Sequence, residues 1–401
     1  MKYRFSKTLE AFSSSAVREI LKLTQGKSII SFAGGLPAEE FFPVEAVKEA
    51  IGRVMEGGKS ALQYGLTEGY TPLRQSICNR MATKGMQVTP DDMLLTTGSQ
   101  QSIDLLTRVY IDEGDVILVE RPTYLAAIQV FQARGAKIVS VRSDRHGMDL
   151  EDLAVQIKQH RPKMVYVNPS FSNPAGRVWS LERRKGLLAA CRQNDVLILE
   201  DDPYGELKFG TTEIMPSIFS LDQHPEGSCV VYTSTFSKIV APALRTGWVM
   251  GDRAVIRSMA QAKQAADLHS STLDQMTLFQ LMEQFDMDAH IGLISVEYEK
   301  RMRTMVQVLQ EKNWPGVHWN DPQGGMFLWL ELPAHIDTQV LLAAAVQQGV
   351  AFVPGVSFFA DEPERNTMRL NYTHAGEAEI RLGLERLDAV LQPLLAAAPK
   401  V

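Results

Sequence analysis

From Met93 to Leu199 the chain alternates short, unbroken apolar runs with longer segments of helical spacing, and few architectures accommodate that pattern. The runs are Met93 to Thr97, Val116 to Val119, Lys137 to Val141, Met164 to Val167 and Val196 to Leu199. Between them lie Gln100 to Tyr110, Tyr124 to Arg134, Leu150 to His160 and Leu181 to Gln193. Strands that are apolar on both faces must be covered on both faces, so the alternation predicts an α/β fold, a mainly parallel sheet sandwiched by helices. In such sheets ligands sit beyond the carboxyl ends of the strands.

The flanking segments read differently. Ser13, Ser14 and Ser15 offer caps for a short helix ending near Leu23, and a strand from Ile29 to Phe32 leads into Ala33-Gly34-Gly35-Leu36-Pro37. Val44 to Met55 and Pro72 to Lys84 have helical spacing, with a loop carrying Tyr64, Gly65, Gly69 and Tyr70 between them. After Gly247 to Met250, one more strand, long helical segments run from Ala254 to Met287 and from His290 to Lys312. The last part mixes strands (Met326 to Leu330, Ala351 to Pro354, Thr367 to Asn371) with helices (Thr338 to Gln348, Ala375 to Leu395), which predicts a smaller α+β domain. The expected division is an N-terminal segment, 1–45, belonging with the small domain, a large domain, 46–290, and a small C-terminal domain, 291–401.

Composition narrows the function classes. With 401 residues, 45% of them hydrophobic, the chain can bury a large core. A formal net charge of −6 supplies no overall positive field for nucleic acid. Three cysteines, Cys78, Cys191 and Cys229, stand far apart without a metal-ligand or disulfide pattern. No signal peptide or membrane-length apolar segment is legible, so the expectation is a cytoplasmic protein with no membrane, nucleic-acid or metal partner.

Four strand ends carry chemistry. Val230-Val231-Tyr232 reads as a buried strand that runs through hydroxyl residues, Thr233 to Ser237, to Lys238 in an apolar setting. Most lysines are solvated surface charges, but an amine without a neighbouring carboxylate, desolvated and lowered in pKa, suits Schiff-base chemistry with a carbonyl. Gly98, Ser99 and Gln100 place free N–H groups at a helix N-terminus, an anion site or merely a cap. Asn173 before Pro174 puts an amide on a turn, which by itself is a common turn starter. Asp201 and Asp202 end an apolar strand, where a carboxylate must pair with a cation or be solvated. A phosphorylated pyridine aldehyde, held by a lysine and with a carboxylate on its ring nitrogen, uses all four.

With Gly98-Ser-Gln-Gln101, Asn173-Pro-Ala-Gly176, Asp201-Asp-Pro-Tyr204, Ser234-Thr-Phe-Ser-Lys238 and Arg245 in this order, nearly the whole chain resembles the fold-type I, pyridoxal-phosphate-dependent aminotransferases of class I/II. Within them it is similar to the branch of the 2-aminoadipate and kynurenine aminotransferases. The resemblance implies that Lys238 forms the internal aldimine with pyridoxal 5'-phosphate and later carries the proton between substrate Cα and cofactor. It implies that Asp201, favoured over Asp202 by its spacing to Tyr204, holds the ring nitrogen protonated, that Asn173 and Tyr204 bind the phenolic oxygen, and that Tyr124 stacks on the ring. Ser99, Gln100, Thr235, Ser237 and Arg245 would bind the phosphate, with Tyr64 reaching the phosphate of a neighbouring subunit. That last role implies a homodimer with composite sites. Arg369 would take the substrate α-carboxylate, the alternative being a salt bridge between domains. Gly35 would let the backbone approach the substrate, and Arg18 would reach a distal carboxylate or else face solvent. Ala175 stands where relatives carry Thr or Ser, and Thr235 where many carry Ser.

The implied reaction moves the amino group of an L-amino acid (2-aminoadipate, aromatic or branched-chain) to a 2-oxo acid, with 2-oxoglutarate the expected acceptor, by a ping-pong route. The same residues would serve a lyase or decarboxylase. Winged-helix regulators with an aminotransferase-like domain need a DNA-binding module ahead of it, and the family pattern here starts within the first few dozen residues, leaving that alternative weak.

Overall fold

The computed structural model describes residues 3–5, 20, 29–222 and 227–397. Its strands are β1 (Ile30–Ser31), β2 (Met93–Thr96), β3 (Val116–Glu120), β4 (Lys137–Val141), β5 (Met164–Val167), β6 (Leu197–Asp201), β7 (Val230–Thr235), β8 (Gly247–Met250), β9 (His318–Trp319), β10 (Phe327–Glu331), β11 (Val350–Ala351), β12 (Val353–Pro354) and β13 (Thr367–Asn371). The helices are α1 (Val44–Glu56), α2 (Thr71–Ala82), α3 (Ser99–Tyr110), α4 (Leu125–Ala133), α5 (Leu150–His160), α6 (Leu181–Gln193), α7 (Arg253–Asp267), α8 (Thr272–Gln284), α9 (Met287–Lys312), α10 (Thr338–Gln347) and α11 (Glu377–Ala396).

A seven-stranded sheet in the order β2-β8-β7-β6-β5-β3-β4 forms the centre. β8 runs antiparallel to both of its neighbours, and the remaining pairs are parallel. Along each strand successive side chains enter opposite layers. Leu118, Val165, Val167, Ile198, Val230 and Tyr232 join one buried cluster, while Ile117, Val119, Met164, Tyr166, Leu197, Leu199 and Val231 join another. That two-sided burial is why the runs are unbroken in the sequence. The helices start where local chemistry allows: Asp149 caps α5, Ser180 caps α6 and Asp286 caps α9, each accepting a backbone N–H.

A four-stranded antiparallel sheet, β9-β10-β13-β12, lies in the C-terminal part, and a parallel pair, β1 with β11, accompanies it. α11 crosses this pair closely enough that a Cβ on Gly383 would lie 2.5 Å from the Phe32 ring.

Three expected elements are divided or lengthened in the structure. The expected helix from Ala254 to Met287 is two helices, because Leu268 takes a positive φ and Ser271 caps α8. The expected strand from Ala351 to Pro354 divides at Phe352, one half pairing with β1 and the other with β13. The strand expected at Val230 to Tyr232 continues to Thr235, since its hydroxyl residues pair with β8 as readily as apolar ones. Among the described residues no helix is long and apolar enough to cross a membrane, and no cluster could hold a metal ion.

Candidate active site

The carboxyl ends of β2, β6 and β7 open on a cavity of about 290 Å³. Its wall brings together Gly35, Ser99, Gln100, Tyr124, Asn173, Asp201, Tyr204, Thr235, Ser237, Lys238, Arg245 and Arg369, twelve expected residues spread over more than 300 positions of sequence. Lys238 arrives on the turn after β7, and its Nζ donates to Gly35 O at 2.8 Å. Burial, together with the Arg369 and Arg245 guanidiniums, pushes the amine down to about 8.

Asp201 closes β6. Its Oδ2 accepts the Tyr166 hydroxyl at 2.7 Å, while its Oδ1 is buried without a partner. Burial pushes this carboxyl up to about 7, the Tyr166 bond working in the other direction. Asp202 points elsewhere, with Tyr232 OH at 3.0 Å and the Gly205 N–H at 2.9 Å. The Tyr204 hydroxyl lies 3.5 Å from Asn173 Nδ2. Tyr124 donates to Gln100 Oε1 at 3.2 Å, and burial raises its phenol to about 12.

At the β2–α3 junction Gly98 has φ 77°, and it offers no side chain to cap α3. A Cβ here would stand 2.5 Å from Arg245 Nη2, so the guanidinium lies directly against the turn. Arg245 Nη2 donates to Thr97 O at 3.1 Å and Nη1 to Ser237 Oγ at 3.1 Å; Thr235 Oγ1 bonds Ser237 Oγ at 2.9 Å. An uncapped helix N-terminus, two hydroxyls and a guanidinium form an anion cradle.

Arg369 reaches the same cavity from β13. One amino group donates to Asn173 Oδ1 and the other to Ala33 O, both at 2.6 Å, and the guanidinium lies between the Phe327 and Phe358 rings, 4.2 and 5.0 Å from their centroids. Among the described residues no carboxylate pairs with it, and its buried Nε has no partner. Burial lowers the group to about 10.

One expected residue is not at this cavity. Tyr64 is 78% exposed and sits edge-on to His269, away from the cavity of its own chain. Arg18 lies outside the described residues.

The structure adds residues that sequence reasoning missed. Tyr166 orients Asp201; Asn168 donates to Asp201 O, accepts the Asn173 N–H at 2.8 Å and is itself held by Glu120. A tyrosine inside an otherwise aliphatic run and an Asn-Pro at its end were the available signals. Phe327 and Phe358 carried none, being ordinary apolar strand and turn residues.

The cavity suits a phosphorylated pyridine aldehyde: the cradle could take the phosphate, the orphaned Asp201 Oδ1 a protonated ring nitrogen, and the Lys238 amine the aldehyde carbon. The profile of the family described as aminotransferase class I and II matches residues 27–387. Aromatic-amino-acid aminotransferase 1 of Thermococcus litoralis is 41% identical over 395 residues, 97% of this chain and 94% of that protein. 2-aminoadipate transaminase of Thermus thermophilus is 39% identical over 393 residues, 98% of this chain and 97% of that protein. Among solved structures, LysN, the α-aminoadipate aminotransferase of Thermus thermophilus complexed with N-(5'-phosphopyridoxyl)-L-leucine, superposes with a TM-score of 0.91 at 37% identity, with 98% of each chain covered. Cavity, fold and relatives agree, and the chain belongs to the class I and II aminotransferases, a pyridoxal 5'-phosphate-dependent transaminase of fold type I.

Proposed function

We propose that the protein moves the amino group of an L-amino acid with a large side chain, 2-aminoadipate, aromatic or branched-chain, to 2-oxoglutarate in a ping-pong cycle. The observation that carries this reading is Arg369, a buried guanidinium with no carboxylate partner among the described residues, beside an amine held at about 8. A planar donor fork so placed suits an α-carboxylate, which amino and oxo acids share. The donor range is supported by the relatives' names and by the leucine adduct in LysN.

When bound, pyridoxal phosphate supplies an electron sink and a carrier for the nitrogen between the two half-reactions. The residues do the rest. Lys238 Nζ anchors the cofactor and, when released, moves a proton at substrate Cα; its lowered pKa leaves a useful free-amine fraction near neutrality. Asp201, held by Tyr166, keeps a proton on the ring nitrogen. Asn173 and Tyr204 take the phenolic oxygen, Tyr124 packs on the ring, and Ser99, Gln100, Thr235, Ser237 and Arg245 take the phosphate. Gly35 leaves room for substrate at the backbone, and Arg18 is assigned to a distal carboxylate by resemblance alone. Residues 46–290 carry the cofactor and 291–401 close over it with the N-terminal segment. Exposed Leu62, Tyr64 and Leu66 on one loop support a homodimer in which Tyr64 completes the partner's site.

A screen of amino donors with 2-oxoglutarate as acceptor tests the reading. Expected is glutamate formation with at least one of the named donor classes and a reversible change in cofactor absorbance on adding donor alone. Sustained turnover without any oxo acid would instead mark a lyase or decarboxylase.

A further inference from the structure

Behind the anion cradle lies a charge pair, a buried lysine against a partly exposed carboxylate, that the proposed reaction does not use. Lys263, on α7, has a side chain that is 0% exposed. Its Nζ contacts Asp267 Oδ1 at 2.8 Å and Oδ2 at 2.9 Å, and Gln101 Oε1 at 3.3 Å. Gln101 is the third residue of α3. Its Nε2 donates to Asp267 Oδ2 at 2.6 Å, and this orients its Oε1 to accept the Thr97 N–H at 2.7 Å. Thr97 precedes Gly98, and all its polar atoms are held: the carbonyl by Arg245, and the hydroxyl by Ser270 Oγ at 2.9 Å.

The segment from Asp267 to Ser270 is strained. Leu268 has φ 62° and ψ −59°, closed by a 2.7 Å bond from His269 N–H to Asp267 O. A leucine in this conformation persists only where its surroundings over-determine it. Across this strained turn Asp267 meets Gln101, and Ser270 meets Thr97, the residue that starts the phosphate turn.

An unpaired carboxylate at Asp267 would oppose an anion at the α3 N-terminus; with Lys263 against it, the pair is neutral and still directs Gln101. We propose that Lys263 is a positioning residue of the phosphate-binding turn, fixing Gln101 against Thr97 through Asp267 while cancelling the Asp267 charge behind the anion site. The proposal rests on the reading of Ser99, Gln100 and Arg245 as the cofactor's phosphate site.

The test is a fluorescence titration of full-length apoenzyme with pyridoxal 5'-phosphate and, separately, with unphosphorylated pyridoxal. Wild type binds the phosphorylated ligand far more tightly; if it shows no such preference, the phosphate-site reading fails first. Lys263→Met is expected to reduce the preference about tenfold, the scale of one uncompensated charge near an anion in a partly screened site. Its affinity for pyridoxal stays unchanged. Lys263→Met combined with Asp267→Asn regains part of the preference, because the opposing charge is gone. Should Lys263→Met not fold, Gln101→Met, on a less buried side chain, is expected to show the same selective loss. An unaltered preference, or equal losses for both ligands without recovery in the double variant, would mean that Lys263 serves only the packing of α7.

Discussion

At the scale of single residues, two buried groups have ionisation displaced in opposite directions, and both displacements cost the fold stability. Lys238 titrates at about 8 in the fold against 10.5 in an unfolded chain, so between those values the unfolded state binds more protons and stability rises with pH. Asp201 titrates at about 7 against 3.8, so between those values the folded state binds more protons and stability falls as pH rises. Asp201→Asn should therefore raise the melting temperature of the apoenzyme, with a gain that grows from pH 4 to pH 7 and then levels off, while transamination is lost. A melting series across pH in which the variant never exceeds wild type would show that Asp201 is not held at a cost. Lys238→Ala should keep the fold and bind cofactor noncovalently, with the visible band of the lysine-bound cofactor missing and turnover reduced about a thousandfold or more. Substantial residual turnover would count against the assignment.

At the scale of elements, the site depends on where strands end. β2 stops at Thr96, and α3 begins three residues later at Ser99, a turn that Gly98 makes possible at φ 77° with a guanidinium 2.5 Å from the place of a Cβ. Gly98→Ala is expected to weaken cofactor binding more than tenfold and to cost about 1–3 kcal/mol of stability, read by titration and by denaturant melts. β13 brings Arg369 to the cavity, sandwiched by Phe327 and Phe358. A lysine cannot reproduce a flat fork between two rings and two acceptors. Arg369→Lys should lower kcat/KM by about a hundredfold for donor and acceptor alike, with cofactor binding unchanged. A loss confined to one substrate would place the α-carboxylate elsewhere.

At the scale of the whole molecule, the proposed homodimer gives the exposed Tyr64 a role that can be tested. In a homodimer with shared sites, Lys238→Ala and Tyr64→Ala chains are each inactive alone, yet a hybrid dimer contains one intact site. Equal mixtures after subunit exchange should recover about a quarter of wild-type activity, since half the dimers are hybrids with one working site in two. No recovery despite demonstrated exchange, or a competent monomer in sedimentation, would remove the composite site.

The sequence by itself determined the layered α/β fold, because two-sided burial writes unbroken apolar runs into each strand and those runs are read locally. It also pointed to residues that line one cavity, since Lys238, Asp201, Asn173 and Arg245 are spaced along one ordered set of strand ends. Tertiary structure decided the rest. Tyr166 aims at Asp201 only because β5 lies beside β6 in register, and Asn168 links Asp201 to Asn173 for the same reason. The aromatic contacts of Arg369 assemble residues from β10, β13 and the turn after β12, and the Lys263 pair reaches Thr97 only through Gln101. Such contacts join positions far apart in the chain, and no local spacing of residues records them.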